Sequence, residues 1–441
     1  MINAIKNLLS IAVGMMTIRF AQTLTTFIMM VILAQLGHTA LAASFTIGML
    51  RVVIMLIFMA PLFSLGAIVG RQFASNQQQV LPSVLRQAWL VALAIGIPAT
   101  IVVACIKPIL IATHQPPAVT PLVWDYFKYF LIAMPIFYLN IANQQFLAGS
   151  KRQNIVAIIS LLTIVIATIL NLGFVLGYFG FPQYGVEGAG IATLLGASIS
   201  FIITSYVVIK HVGKPLFKQP HLDFTWFKLI LKVGMPICFK ISGDMLMKLA
   251  FTILVGWLGV TAMAASQISN EYMLLLIVPV FGLSEACAIA ISHVNGEHKQ
   301  ERMRQLGNAS MLTATVLTIG AGILFAIFHR PLASVFIHFN SSGAEAIYVL
   351  AMWLLVIRVL TMFFDGIEMS LIGCLRGLYD TQFPMWLAIG MNWLITVPLA
   401  YILGFTLHMG VIGIALSIVI ARCFSTTAIV LRWRWQLHRC Q

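Results

Sequence analysis

Long runs of apolar residues, separated by short polar stretches, follow one another along nearly the whole chain. A helix needs about 20 mainly apolar residues to cross a bilayer, and the pattern contains twelve such runs. It therefore predicts an all-α polytopic membrane protein with twelve transmembrane helices. The predicted spans are 10–36, 40–68, 83–106, 121–147, 154–178, 186–211, 228–256, 262–292, 307–329, 345–373, 383–404 and 410–431.

The charged residues agree with a membrane location and predict an orientation. Only 9% of the residues are charged, whereas globular proteins average about a quarter. The net charge of +14 does not indicate nucleic acid, because Lys and Arg collect at the two termini and in the even-numbered connections, as the positive-inside rule requires of cytoplasmic segments. We therefore expect a protein of the cytoplasmic (inner) membrane with both termini in the cytoplasm, in contact with the lipid bilayer and without a nucleic-acid partner.

A repeated motif divides the chain into two halves. "LGHTALAAS" at 36–44 returns as "LGVTAMAAS" at 258–266, and each half holds six predicted spans. Because six is even, both copies enter the membrane in the same orientation, which predicts two six-helix lobes related by a pseudo-two-fold axis along the membrane normal. The predicted limits are 1–212 for the first lobe, 213–227 for a cytoplasmic linker and 228–441 for the second lobe. This duplication is typical of transporters.

Charged residues inside the predicted spans carry the functional information. Each charge at a helix centre costs roughly 2.5–3.5 kcal/mol on the lenient insertion scale, so these side chains must face one another, water or a substrate. Most of them lie in the second half of the chain. They are Lys240, Asp244, Lys248, Glu271, Glu285, Arg358, Asp365 and Glu368.

The spacing of these charges predicts pairing along the helices. Lys240, Asp244 and Lys248 recur every four residues and share one helix face, while Arg358 and Asp365 are seven apart and share another. Two interpretations remain open. The charges form an ion and substrate pocket in the second lobe, or they are salt bridges that lock the seventh and tenth helices together.

Neutral amides occupy the corresponding places in the first half. Subtraction of 222, the offset of this repeat, places Asp244 opposite Gln22, and subtraction of 228, the offset of a later motif, places Glu368 opposite Asn140. We expect these amides to line the cleft while the second half performs the ion chemistry. Asn171 and Gln267 complete the predicted set of substrate contacts.

Three motifs resemble the multidrug and toxic-compound extrusion (MATE) transporters over nearly the whole chain. They are "LGVTAMAASQI" at 258–268, "GFPQYGVEGAGIAT" at 180–193 and "LRGLYDTQFP" at 375–384. The resemblance implies antiport, in which Na⁺ or H⁺ moves inward while an organic, often cationic compound leaves through a cleft between the lobes. The protein would be a monomer and not an enzyme, would use no cofactor besides the coupling ion, and would bind a small-molecule substrate.

The resemblance also assigns coupling residues. Acids used by one branch of the family stand fifteen residues before the second-copy Gly259 and twelve before Gly377, which gives Asp244 and Asp365. With Glu368 they would hold the coupling cation, including a transient Na⁺. Many prokaryotic members have an Asp where this chain has Met29, so coupling is expected in the second lobe.

The basic residues beside these acids leave the substrate class open. Lys240, Lys248 and Arg358 are unlike a simple organic-cation pocket, and either neutralise the acids or accept an anionic or zwitterionic substrate. An exporter of an anionic metabolite and a lipid-linked oligosaccharide flippase of the same superfamily remain alternatives. An ATP-driven pump is disfavoured because the chain has no GxxxxGK[ST] loop. An intramembrane aspartyl protease is disfavoured because "SGD" at 242–244 lacks the GxGD pattern.

Overall fold

The computed structural model shows an almost entirely helical chain. It describes residues 2–36, 38–75, 77–112, 119–213, 224–296, 300–336 and 344–439, apart from some side chains inside helices. Ten stretches of this described part are long and apolar enough to cross a membrane, and the first and seventh predicted spans are helical as well. The predicted class, a helical polytopic membrane protein, is confirmed.

Two compact units make up the fold. The amino-terminal unit comprises Thr17–Cys238, and the carboxy-terminal unit comprises Met1–Met16 together with Phe239–Gln441. The lobe limits at 212 and 228 stay a prediction, and residues 214–223 of the expected linker lie outside the described residues. The carboxy-terminal unit therefore contains the start of the first helix of the chain, and the amino-terminal unit contains the start of the first helix of the second sequence half.

Six long helices come from the first half of the sequence. They are α1 (Ile2–Ala34), α2 (His38–Met59, then Phe63–Ala74), α3 (Leu81–Ala104), α4 (Thr120–Gly149), α5 (Gln153–Leu176) and α6 (Val186–Val212). Helix α2 includes a 3₁₀ turn, Ala60–Leu62, at Pro61, which cannot donate a backbone hydrogen bond. A short helix, Ile106–Ala112, follows α3.

Six more come from the second half. They are α7 (Thr225–Trp257), α8 (Val260–Gly296), α9 (Gln300–Phe336), α10 (Ala344–Gly377), α11 (Gln382–Gly390, Met391–Thr396, Val397–Tyr401 and Ile402–Thr406) and α12 (Gly410–Arg439). Helix α11 is irregular, with π-helical segments at Met391–Thr396 and Ile402–Thr406 on either side of Pro398. Such wide turns frequently occur at functional sites.

Small residues allow the same close helix approach in both units. A Cβ atom built on Gly149 of α4 would lie 2.7 Å from the carbonyl oxygen of Gly66 in α2. One built on Gly377 of α10 would lie 2.7 Å from that of Ala288 in α8. Helices in lipid associate through such small-residue contacts because no hydrophobic force between them is available. The two glycines therefore fix α4 and α10, which carry Asn140 and Glu368, in equivalent places.

Candidate ion and substrate site

The carboxy-terminal unit collects the predicted acids into one cluster. Asp244 lies on α7, and Asp365 and Glu368 lie one turn apart on α10. Their partners come from α7, α11 and α12, so four helices build the cluster. The side chains of all three acids are shielded, with exposed fractions of 20%, 16% and 3%.

Both carboxylate oxygens of Asp244 have partners. Lys240 Nζ lies 2.8 Å from Oδ2, one helical turn away on α7 as the spacing predicted. Asn392 donates from Nδ2 to Oδ1 at 2.8 Å. Asn392 is buried in the first π-helical segment of α11. The irregular backbone of α11 therefore carries a neutral donor to an intramembrane acid.

Arg422 of α12 connects the other two acids. Its Nε lies 3.0 Å from Oδ1 of Asp365, and its Nη1 lies 3.3 Å from Oε1 of Glu368. A guanidinium group can serve both because acids three residues apart share a helix face. The charge of Arg422 also acts on Asp244, and the charge of Lys240 acts on Glu368. The acids thus form one electrostatic network.

One oxygen of Glu368 is left over. Glu368 is 2% exposed, and its Oε2 has no hydrogen-bond partner among the described residues. The hydroxyl of Ser425 on α12 is near enough to this carboxyl group to act on it as a donor, but its Oγ makes no hydrogen bond of acceptable geometry in the described part of the chain. A buried carboxylate oxygen without a donor is costly, so Glu368 Oε2 is an available position for a proton.

The charge of Asp365 acts on Arg358 along α10, but the two side chains form no direct ion pair. Seven residues are two turns, or about 10 Å along a helix, and Arg422 reaches Asp365 directly from α12. Arg358 instead donates from Nη2 to Oδ1 of Asn270 in α8 at 2.9 Å. Lys248 forms no side-chain hydrogen bond or ion pair within the described residues, although it shares the α7 face with Asp244.

The predicted amides of the first half are buried in the amino-terminal unit. Asn140 donates to Ser200 Oγ at 3.0 Å and accepts from Thr204 Oγ1 at 2.8 Å, so its side chain joins α4 to α6. Asn171 donates to the carbonyl of Ala167, one turn back on α5, at 2.7 Å. Both residues are at most 5% exposed. The structure thus gives these amides packing contacts, and their substrate role stays a prediction.

One of the remaining predicted residues, Glu285, has a described position in α8. Glu285 is buried in α8, next to Ser284, which donates to the carbonyl of Met369 in α10 at 2.6 Å. The side chains of Gln22, Gln267 and Glu271 lie outside the described part of the structure. No group of three or more His, Cys, Asp or Glu within the described residues could hold a metal ion.

A basic residue occupies the interior of the amino-terminal unit. Arg51 of α2 donates to the hydroxyl of Tyr126 at 3.3 Å, and one of its nitrogens lies 3.9 Å from the sulfur of Met29. Met29 is the residue that stands where many family members have an Asp. An uncharged residue beside a guanidinium agrees with the expectation that this unit is not the ion-coupling one.

Sequence reasoning missed Arg422 and Asn392. Arg422 stands in the middle of the last predicted span, so its cost in lipid was a usable signal. Asn392 gave a weaker signal, because a neutral amide in a span is cheaper than a charge. Both residues lie in the last two predicted spans, 383–404 and 410–431, in which the sequence-based prediction named no functional residue.

Comparisons with known proteins give the family. A family model described as MatE matches residues 15–172 and 236–402. A probable multidrug resistance protein NorM of Mesorhizobium japonicum is 26% identical, covering 98% of this chain and 93% of the relative. A solved MOP superfamily transporter from Pyrococcus furiosus aligns over 99% of this chain and 96% of its own, with a TM-score of 0.87 and 18% identity.

A second solved structure shows the same fold. It is the outward-facing conformation of a multidrug resistance MATE transporter and aligns over 99% of this chain and 96% of its own, with a TM-score of 0.88 and 18% identity. The family match covers most of the chain and confirms the resemblance carried by the motifs. The chain belongs to the MatE family of integral membrane transporters.

Proposed function

We propose that this transporter is a proton-driven exporter of organic compounds that carry a basic group, and that the cluster around Glu368 performs the coupling. A curated relative over nearly the whole chain is named a probable multidrug resistance protein, which supports export of small molecules. The observation that carries the coupling mechanism is the buried Oε2 of Glu368, which has no hydrogen-bond partner among the described residues.

Protons suit this cluster better than Na⁺. Asp244, Asp365 and Glu368 each lie within 3.3 Å of a lysine or arginine nitrogen. A Na⁺ ion would need several of these oxygens as ligands at the same time, and the lysine and arginine nitrogens already occupy one oxygen of each acid. A proton on Glu368 Oε2 needs no additional ligands. We therefore assign coupling to H⁺ rather than Na⁺.

Competition between the proton and the substrate for the same carboxylates explains how one is exchanged for the other. The basic group of a substrate binds where Asp244, Asp365 and Glu368 present negative charge. Protonation of Glu368 removes one of these charges and leaves two carboxylates beside the two cations that pair with the acids, Lys240 and Arg422. The loss of this negative charge weakens the attraction for the basic group, so proton entry favours substrate release.

The membrane potential supplies enough free energy to drive export of a substrate without ATP. One monovalent cation moving through 100 mV supplies about 2.3 kcal/mol, which corresponds to roughly fifty-fold accumulation of a substrate. We place the protein in the inner membrane with cytoplasmic termini and two six-helix lobes, as the distribution of Lys and Arg predicts. We also propose that it acts as a monomer and uses no bound cofactor.

Transport in proteoliposomes tests the proposal. We expect a cationic fluorescent dye to move in response to an imposed pH gradient and not to an imposed Na⁺ gradient. Glu368→Gln keeps the size of the side chain and an acceptor for Arg422, but cannot carry the proton. We expect it to lower proton-driven transport at least about tenfold, as loss of an essential proton-transfer group does.

A second glutamate on the same helix provides the control. Glu345 is exposed at the start of α10, and Glu345→Gln should leave transport unchanged. Asp244→Asn and Asp365→Asn should weaken transport as well. Dye transport driven by the Na⁺ gradient would contradict the assignment of H⁺ as the coupling ion. Full proton-driven transport by Glu368→Gln would contradict the role assigned to Glu368.

A further inference from the structure

Two cations of the carboxy-terminal unit make no direct ion pair with its acids within the described residues. Asp244 is bound by Lys240 and Asn392, and Arg422 serves both other acids. Lys248 on α7 and Arg358 on α10 have no ion pair within the described residues. Both lie in the middle of helices whose neighbours are apolar, where a charge is expensive and by default marks a functional site.

The two cations act on each other. The charge of Lys248 is attracted by Asp244, repelled by Arg358 and attracted by Asp365, and the charge of Arg358 is attracted by Asp365. Neither cation forms a direct ion pair with these acids within the described residues, so the repulsion between the two cations is not offset by such a contact. Lys248 is an exposed residue. An acidic group between the two side chains would turn this repulsion into two attractions.

Asn270 adds the third component. Its Oδ1 accepts from Arg358 Nη2 at 2.9 Å, which fixes the position of the guanidinium group. An Asn side chain that accepts through its oxygen still has two N–H donors. The same residue that orients Arg358 can therefore donate to an anion bound beside it.

We propose that Lys248, Arg358 and Asn270 form a binding subsite for an acidic group of the exported compound, such as a carboxylate or phosphate. The inference rests on the proposed function, in which the neighbouring carboxylates bind a basic group. The two sets of charges together select zwitterions, which carry both groups, over simple organic cations. In this proposal Lys248 and Arg358 bind the acidic group of the substrate, whereas Lys240 pairs with Asp244.

Binding of two matched dyes to the purified full-length protein in detergent tests the subsite. The probes are a rhodamine with a free carboxylate and the methyl ester of the same rhodamine, which differ only in the acidic group. Fluorescence polarisation without any ion gradient measures the two dissociation constants. We expect the wild type to bind the free acid about tenfold more tightly, which corresponds to about 1.4 kcal/mol.

Substitutions assign the preference to the subsite. The double variant Lys248→Gln with Arg358→Gln should bind both dyes equally, and Lys248→Gln alone should lose part of the preference. The single variant breaks no side-chain hydrogen bond within the described residues, so it keeps the test valid if the double variant folds poorly. Lys210→Gln, at the exposed end of α6, should keep the full preference.

The outcomes separate the subsite from the proposed function. Equal binding of the two dyes by the wild type would overturn the subsite. This outcome is also the one expected if an anionic phospholipid, rather than the exported compound, occupies the position. An unchanged preference in both variants would also overturn it. A wild type that binds with the expected preference but does not move dye on a pH gradient would contradict the proposed function alone.

Discussion

Asn140 in the amino-terminal unit and Glu368 in the carboxy-terminal unit occupy equivalent places in the repeat and behave differently. The amide of Asn140 both donates and accepts, so Ser200 and Thr204 of α6 complete its hydrogen bonds. The carboxylate of Glu368 only accepts. It needs the charged donor Arg422 from α12 and still leaves one oxygen without a partner in the described part of the chain.

The difference shows how one helix pair can serve two purposes. A neutral amide closes a permanent hydrogen-bonded link between the fourth and sixth helices of its half. A carboxylate in the same place makes a link whose charge a proton can remove. We therefore interpret the amino-terminal pair as structural and the carboxy-terminal pair as the element that responds to the coupling ion.

The largest expected effect comes from Arg422→Gln. Removal of the cation leaves Asp365 and Glu368 buried without compensation, which costs about 3–5 kcal/mol. Thermal unfolding in detergent should show a strongly destabilised protein, and transport should be lost. Adding Asp365→Asn and Glu368→Gln should restore most of the stability but not proton-driven transport. A single variant as stable as the wild type would show that the two acids do not depend on Arg422.

A smaller effect is expected from Asn140→Asp. It places a carboxylate beside the hydroxyl groups of Ser200 and Thr204, with no cationic partner within the described residues, and a buried charge held by neutral donors alone costs about 3 kcal/mol. Unfolding measurements at neutral pH should detect this loss. If the variant kept its stability, the two units would tolerate buried acids equally and the contrast between them would fail.

The smallest effects come from two other amides. Asn392→Ala removes a hydrogen bond to the charged Asp244 and should cost about 2 kcal/mol, while Asn143→Ala removes neutral bonds to Trp89 and Ser205 and should cost about 1 kcal/mol. Only the first should also lower proton-driven transport. Equal effects of both on transport would place function in both units.

Most of the cluster could be predicted because charge in lipid is expensive. Asp244, Asp365 and Glu368 stand out within apolar runs, and the i,i+4 spacing correctly paired Lys240 with Asp244. The partner of Asp365 could not be predicted from spacing on its own helix. Arg422 is 57 positions further along the chain, and only the packing of α10 against α12 brings them together.

The sequence by itself determined the helical membrane class, the twelve helices, the internal repeat and the location of the buried charges. Those properties follow from hydropathy and from local helical spacing. Only the tertiary structure determined which charged side chains form ion pairs with one another. It paired Arg422 with both acids of α10 and placed Asn392, on the π-helical turn of α11, beside Asp244. It left Lys248 and Arg358 without a direct ion pair among the described residues. The reason is that an ion pair depends on distances of about 3 Å between helices, and periodicity along one helix does not contain those distances.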